Sequence, residues 1–390
     1  MSLDRVQQWL DHVESVRASR SDSRDDDRSK HIEMPTPPST SFLPAHSVAK
    51  RKYDSQSPTM EAPKRQRRAA KDSETNSVTS TSILPLRDDL TLSPSASATS
   101  QSQSRQRSPS PARHKRLLEY ATPRVRYLSE WDNPEDSAAQ ELRDFLSEGT
   151  HDWEPDATKI QEIVSGARKC VTQQRSESSW VTEVTRPVLR AAISDLPLES
   201  WGVQAETVGA EYQPRYTARD RCNRKIDWVV GFPKERWEAL YAKTAAKFVG
   251  RYINHVDHPH TGSQVLGCGC EIKPPNGDLI EAQVQLGAWM AGFFSWAFQH
   301  QSGTQAPPPM VGFIPVGEIW GFYIIYGVQE GTNGGGLPKL GEVRVWGPLP
   351  ELDGRPTNEK ACSALVKTLR RVMHYLCGRY IDQFQNSVLR

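Results

Sequence analysis

The chain is short of the features that would place it outside the cell or in a membrane. It has six cysteines in 390 residues, none before residue 170 (Cys170, Cys222, Cys268, Cys270, Cys362 and Cys377). They are too scattered for a disulfide framework, and a reducing compartment is the simpler reading. The longest apolar stretch, residues 286–298, is too short to span a bilayer, and no N-terminal segment joins a basic start to an apolar core and a small-residue cleavage site. The expectation is a soluble, intracellular protein with no membrane partner. Aromatics are nearly missing from residues 18–112, where only Phe42 and Tyr53 occur. A segment of Ser, Thr, Pro, Gln and charge buries too little surface to offset its ordering entropy, so it is expected to be disordered. The 28 prolines and a mean hydropathy of -0.64 agree with a large unfolded share. Also missing are a G-x-S-x-G elbow, a phosphate loop ending in G-K-[ST], and paired C-x-x-C or H-x-x-x-H ligands.

Charge is divided unevenly along the chain. Residues 1–120 carry 20 Lys and Arg against 15 Asp and Glu, and residues 121–390 carry 29 against 32, so a basic first part precedes a slightly acidic remainder. In the basic part, "KRKYDSQSPTMEAPKRQRR" sets Arg51 and Lys52 apart from Lys64, Arg65, Arg67 and Arg68. Two basic clusters on an extended chain have the form of a bipartite nuclear-localisation signal read by an import receptor, which makes the nucleus the expected location; a plain solvated tail is the bland alternative. Ser57, Ser93, Ser108 and Ser110 each precede proline and could take phosphates. Ahead of the tail, Val6, Trp9, Leu10 and Val13 share one helical face. The expected organisation is a short amphipathic helix at 1–17, a disordered basic region at 18–120, and one domain at 150–390.

Within the domain, Ile160, Ile163, Val164, Ala167 and Val171 make one helical stripe and Trp180, Val181, Val184 and Val188 a second, with Pro187 a kink or boundary. "AETVGAEY", "KIDWVVGF", "QVLGCGCEIK", "MVGFIPV", "IWGFYIIYGV" and "EVRVWG" read as strands. "KERWEALYAKTAAKF", "LIEAQVQLGAWMAGFFSWAF" and the closing stretch with Ala361, Leu365, Leu369, Val372, Leu376 and Tyr380 read as helices. This is an α/β pattern: a mixed sheet of five or six strands flanked by helices.

Two acids and a lysine stand out against apolar strands. Glu271 and Lys273 are two residues apart and share one face of a strand whose neighbours Val265, Leu266 and Ile272 place it inside, where charges are costly unless paired or holding an ion. Asp227 raises the same question in "KIDWVVGF". If the two strands are adjacent, Asp227 and Glu271 can converge on one Mg²⁺, with the Ile272 carbonyl, waters and a substrate phosphate completing a hard-oxygen shell and Lys273 beside the attacking water.

These pieces, with "SESSWVTEVTRPVLRAA", "YINHVDHP" and "EAQVQLGAWMAGFF", resemble the fungal PD-(D/E)XK nuclease-like domain family over roughly residues 150–390. The resemblance implies a restriction-endonuclease-like mixed β-sheet core behind a long disordered N-terminal region. It implies Asp227 and Glu271 as the motif's acids, Lys273 as its lysine, Glu177 as the first-helix glutamate and Gln285 as the glutamine of the following helix. The catalytic set is then Lys273, Glu271, Asp227 and Gln285, and the metal set Asp227, Glu271, Ile272 and Glu177. The implied activity is Mg²⁺- or Mn²⁺-dependent hydrolysis of phosphodiester bonds of nucleic acid, DNA foremost. The alternative is an inactive nuclease-like nucleic-acid-binding or nuclear scaffold protein. Two departures are Ile226, where a proline often precedes the first acid, and 43 residues between Asp227 and Glu271.

Blander readings exist for each residue. Glu271 and Lys273 can be a plain salt bridge, Asp227 can pair with Arg224, Glu177 can be an exposed helix acid, and Gln285 can be a satisfied core amide. "HVDHPH" followed by Cys268 and Cys270 holds zinc-ligand types in a spacing better suited to a loop, and "GTNGGGLPKLG" reads as a flexible hairpin. The cations Arg215, Arg219, Arg221, Arg224 and Lys225 lie just before the Asp227 strand and offer a basic stripe to a nucleic acid.

Overall fold

The computed structural model describes residues 110–148, 153–332 and 334–390. The helix expected at 1–17 and the two basic clusters lie outside the described residues. The packed unit begins earlier than the expected boundary at 150, and residues expected in the disordered region up to 120 include a helix. This helix, α1, spans Pro111–Leu118 and is capped by Ser110, whose hydroxyl accepts from the Arg113 amide (3.4 Å). Proline at the first position suits a helix start because its missing N–H would be unsatisfied there anyway. Leu118 is fully buried, so α1 is tied to the core.

Strand β1 (Arg124–Leu128) and helix α2 (Ser137–Ser147) follow, then α3 (Ala157–Thr172), α4 (Glu177–Trp180), α5 (Arg186–Ile193) and β2 (Glu199–Gly202). After β3 (Trp228–Phe232), α6 (Glu238–Lys247), β4 (Val265–Cys270) and α7 (Leu279–Gln299) come β5 (Met310–Val316), β6 (Ile319–Thr332), β7 (Pro338–Trp346), α8 (Glu359–Tyr375) and α9 (Ile381–Val388). The sheet is mixed and seven-stranded, in the order β1-β7-β6-β5-β4-β3-β2, with β1–β7 and β4–β5 parallel and the rest antiparallel. Flanked by helices, it has the restriction-endonuclease-like fold expected.

Two strands went unread. β1 (Arg-Val-Arg-Tyr-Leu) is short and half charged, and β2 is four residues at the sheet edge. Conversely, "AETVGAEY" is no strand: only Val208 bridges, to Val256, while turns closed by Glu206 N–H to Val203 O and Tyr212 N–H to Gly209 O curl the rest. In α3, Val171 is 40% exposed and Cys170 takes the inward place. The stripe from Trp180 to Val188 is buried as expected. Between α4 and α5 a π turn spans Val181–Thr185, just before Pro187, which has no N–H to offer the Glu183 carbonyl. That carbonyl faces Gly166 of α3, where a Cβ would sit 2.6 Å from it.

α7 is apolar nearly all round and is the central buried helix. It lies close on the sheet at Gly269 and Gly312, which are neighbours across β4 and β5; a Cβ at either would come within 2.8 Å of Met290 or Leu286. The helix starts sharply, because Asp278 caps it by accepting from the amides of Ile280 (2.7 Å) and Glu281 (3.2 Å). Its first turns are thereby pinned beside the end of β4.

Candidate active site

The extended backbone of β4 continues past its formal end. Glu271 N–H donates to Phe313 O (3.2 Å), Lys273 N–H to Pro315 O (2.8 Å), and Gly317 N–H to Lys273 O (2.8 Å). Alternation therefore holds through the triplet: Ile272 is buried on one face, and Glu271 and Lys273 share the other. The Lys273 ammonium stands 2.9 Å from Glu271 Oε1 and 3.8 Å from Glu177 Oε2.

Asp227 joins them from the neighbouring strand. β3 and β4 pair with Trp228 opposite Cys270, and Asp227 N–H donates to Cys270 O (3.1 Å). One step on, the Asp227 side chain takes over from the backbone: its Oδ2 accepts from Ile272 N–H (2.7 Å). The long separation in sequence is absorbed by α6 and the loops around it. Asp227 Oδ1 accepts from Gln204 Nε2 (2.7 Å), a residue in the turn after β2 that nothing in the local sequence singles out. The alternative of an Asp227–Arg224 pair is not what holds this carboxylate.

Glu177, at the start of α4, is less inward than expected, its side chain 42% exposed, yet it reaches Lys273. Gln285 lies in the second turn of α7; its Nε2 donates to Lys225 O (3.4 Å), while its Oε1 is buried without a hydrogen-bond partner. Gln283, not singled out in the sequence, is the more satisfied amide. It accepts from Lys115 Nζ (2.6 Å) and donates to the Tyr323 hydroxyl (3.2 Å).

The electrostatics are strained toward one sign. Burial, reinforced by the Asp227 charge and only partly offset by Lys273, pushes the Glu271 carboxyl up to about 8. Glu177 is also raised, first by burial, against the pull of Lys273 and with the help of Asp227 and Glu281. Burial opposes the charge on Lys273, but the carboxylates of Glu271 and Glu177 outweigh it and hold the amine above the ordinary lysine value. Two carboxylates thus share one ammonium, and the Asp227 charge adds to the negative side.

That arrangement fits a divalent cation. Glu271 Oε2 is buried with no hydrogen-bond partner, the donors are hard oxygens, and the excess charge is negative. Among the described residues no three His, Cys, Asp or Glu side chains form a ready-made metal cage. A Mg²⁺ site does not need one, since that ion is commonly held by one or two carboxylates together with waters and substrate phosphates. The candidate zinc ligands do not converge. His255 is packed edge-on against Trp289 and Phe293, His258 pairs with Glu206 (3.2 Å), and His260 packs on Trp201. Cys268 and Cys270 are buried in β4, and all six cysteines are free thiols. At the ends of "GTNGGGLPKLG", Thr332 of β6 pairs with Pro338 of β7, and among the described residues no helix is long and apolar enough to cross a membrane.

No curated protein and no solved structure matches the chain. A family model does: that of the PD-(D/E)XK nuclease superfamily, over residues 120–381. This span contains both acids, the lysine and the helix bearing Gln285, and it begins just ahead of β1, upstream of the boundary expected from sequence. The chain belongs to the PD-(D/E)XK nuclease superfamily.

Proposed function

We propose that the protein is a divalent-metal-dependent nuclease that hydrolyses phosphodiester bonds, with DNA its foremost substrate. The observation that carries this reading is the buried cluster of Asp227, Glu271 and Lys273, in which one carboxylate oxygen has no protein partner and the net charge calls for a cation. Asp227, Glu271, the Ile272 carbonyl and Glu177 would hold Mg²⁺ or Mn²⁺. When bound, the cation supplies Lewis-acid charge at the scissile phosphate and acidity for the attacking water. The chain's own groups do the positioning. Gln204 and the Ile272 amide fix the Asp227 carboxylate from two sides, and Lys273, kept protonated by Glu271, presents positive charge to the phosphoryl oxygens as charge builds on them. Gln285 offers its free Oε1 near the start of β3.

The second reading, an inactive nucleic-acid-binding relative, draws on two details. Both Asp227 oxygens already accept hydrogen bonds, and the Lys273 ammonium occupies Glu271 Oε1. Cleavage by the purified full chain decides between them. Single- and double-stranded DNA and RNA are incubated with Mg²⁺, Mn²⁺ or a chelator, beside Asp227→Ala and Lys273→Ala. Metal-dependent cutting that both folded variants lose is expected. A folded wild type that cuts nothing, or variants that cut equally well, would overturn the hydrolase.

A further inference from the structure

The domain's remainder is slightly acidic, which leaves open how it would hold a polyanion. A surface of the opposite sign borders the site. On α1, Arg113 and Arg116 are exposed and Lys115 is half-buried; all three precede the family-matched span. The loop at 215–225 adds five more cations. With Glu119, just past α1, and Asp220 as the only acids, residues 111–119 and 215–225 carry a net charge of +6.

The two segments are joined. His114 meets Arg224 (3.2 Å), and Thr122, just past α1, bridges Arg215. Both are anchored on the first turns of α7, through Lys115 to Gln283 and through Lys225 O to Gln285. The Lys115 amine also lies 4.4 Å from the Tyr127 ring centre, and Tyr127 donates to Gln283 O (3.0 Å). Among the described residues, none of the eight cations is within 4 Å of a carboxylate; Arg215, Arg221 and Lys225 instead donate to backbone carbonyls. Lys225 is two residues from Asp227, a backbone separation of about 7 Å at most, which ties this end of the loop to the site. Tyr120, 77% exposed, presents its ring beside this surface.

We propose that α1 and the 215–225 loop form a platform that grips the phosphate backbone of a nucleic acid and feeds it to the Asp227–Glu271–Lys273 site. The proposal rests on the nuclease reading of that site and adds the surface, which lies partly outside the family-matched segment. Contacts to phosphate carry little sequence information, so binding is sequence-tolerant and steeply salt-dependent.

The test is fluorescence anisotropy of a labelled duplex DNA and its single strand with the full chain across a KCl series. The variant is Arg113→Glu/Arg116→Glu, both exposed positions, with Arg113→Gln/Arg116→Gln as a milder form should the reversal unfold. The expected result is an affinity loss of about 10- to 100-fold and a salt slope shallower by about 2, one for each phosphate contact removed. Lys360→Glu/Arg168→Glu, exposed cations elsewhere, should change neither. An unchanged slope in the α1 variants, or loss only when Lys64, Arg65, Arg67 and Arg68 are replaced by alanine, would overturn the platform. So would a wild type that binds no nucleic acid. Cleavage is read on the same samples. A slope change without any cutting by wild type keeps the platform and sinks the hydrolase, and cutting with an unchanged slope does the reverse.

Discussion

Replacing Glu271 by glutamine should stabilise the metal-free protein at alkaline pH and leave it unchanged near pH 5. The folded state raises the Glu271 carboxyl to about 8, chiefly by burial beside Asp227. In the unfolded chain it ionises near the ordinary glutamate value of about 4.3. Between these limits the folded state holds a proton that the unfolded state has given up, so stability falls as pH rises through the window. The loss is complete above about 8. At about 1.4 kcal/mol per pH unit over roughly 3.5 units, the full effect is on the order of 5 kcal/mol. Glutamine keeps the shape and still offers Oε1 to Lys273, but weakening that charge-assisted bond takes back roughly 1–2 kcal/mol. The net gain expected for Glu271→Gln is therefore about 3 kcal/mol at pH 8. Urea unfolding in chelator from pH 5 to pH 8.5 measures it, and added Mg²⁺ should narrow the gap by stabilising wild type alone. Parallel stability curves for the two proteins would refute the claim that this carboxylate is held against its preference.

Three other outcomes are expected. His255, buried with neither ring nitrogen hydrogen-bonded, is pushed down to about 3 by burial. It resists protonation that the unfolded chain accepts near 6.5, so wild type should lose about 2 kcal/mol more than His255→Leu between pH 6.5 and 4.5; thermal melts at both values show whether it does. Gln204→Ala removes a partner of Asp227 rather than a ligand and should reduce metal affinity or cleavage about 10- to 100-fold, without moving the melting temperature by more than a few degrees. Replacing Arg51, Lys52, Lys64, Arg65, Arg67 and Arg68 by alanine should shift a fluorescent fusion of the full chain out of the nucleus; unchanged nuclear signal would reject the bipartite reading.

The parts of the fold that sequence revealed are those where one physical rule dominates. β4 and its extension through Lys273 were legible because alternation fixes the face of each residue once its neighbours are apolar. α7 was legible because it is apolar over five turns. The closeness of Asp227 and Glu271 was not legible, since it depends on β3 and β4 pairing across an inserted helix. Gln204 was hidden for the same reason: a glutamine in a turn carries no pattern, and only the edge strand β2 delivers it to Asp227. α1 was lost in a polar, proline-rich context, although Ser110 before Pro111 is a readable start signal. Its order comes from Leu118 and Lys115 docking on the core, contacts that no local rule supplies.

A second buried acid shows why Glu271 is read as functional rather than structural. Glu342 of β7 is comparably buried, yet Arg344 meets its Oε1 at 2.7 Å, and Arg126 (3.8 Å) and Arg124 (3.9 Å) approach its Oε2. Both oxygens have cationic neighbours and three guanidinium groups face one carboxylate, the arrangement that makes a buried charge tolerable. At Glu271 the ratio is inverted: two carboxylates meet one ammonium, the Asp227 charge presses on Glu271 as well, and Oε2 is left with nothing. A protein that can surround one buried acid with arginines a few strands away has the means to do so again. Leaving Glu271 short of positive charge, at a cost comparable to much of a typical domain's net stability, fits a site whose remaining charge arrives with a cation and a phosphate.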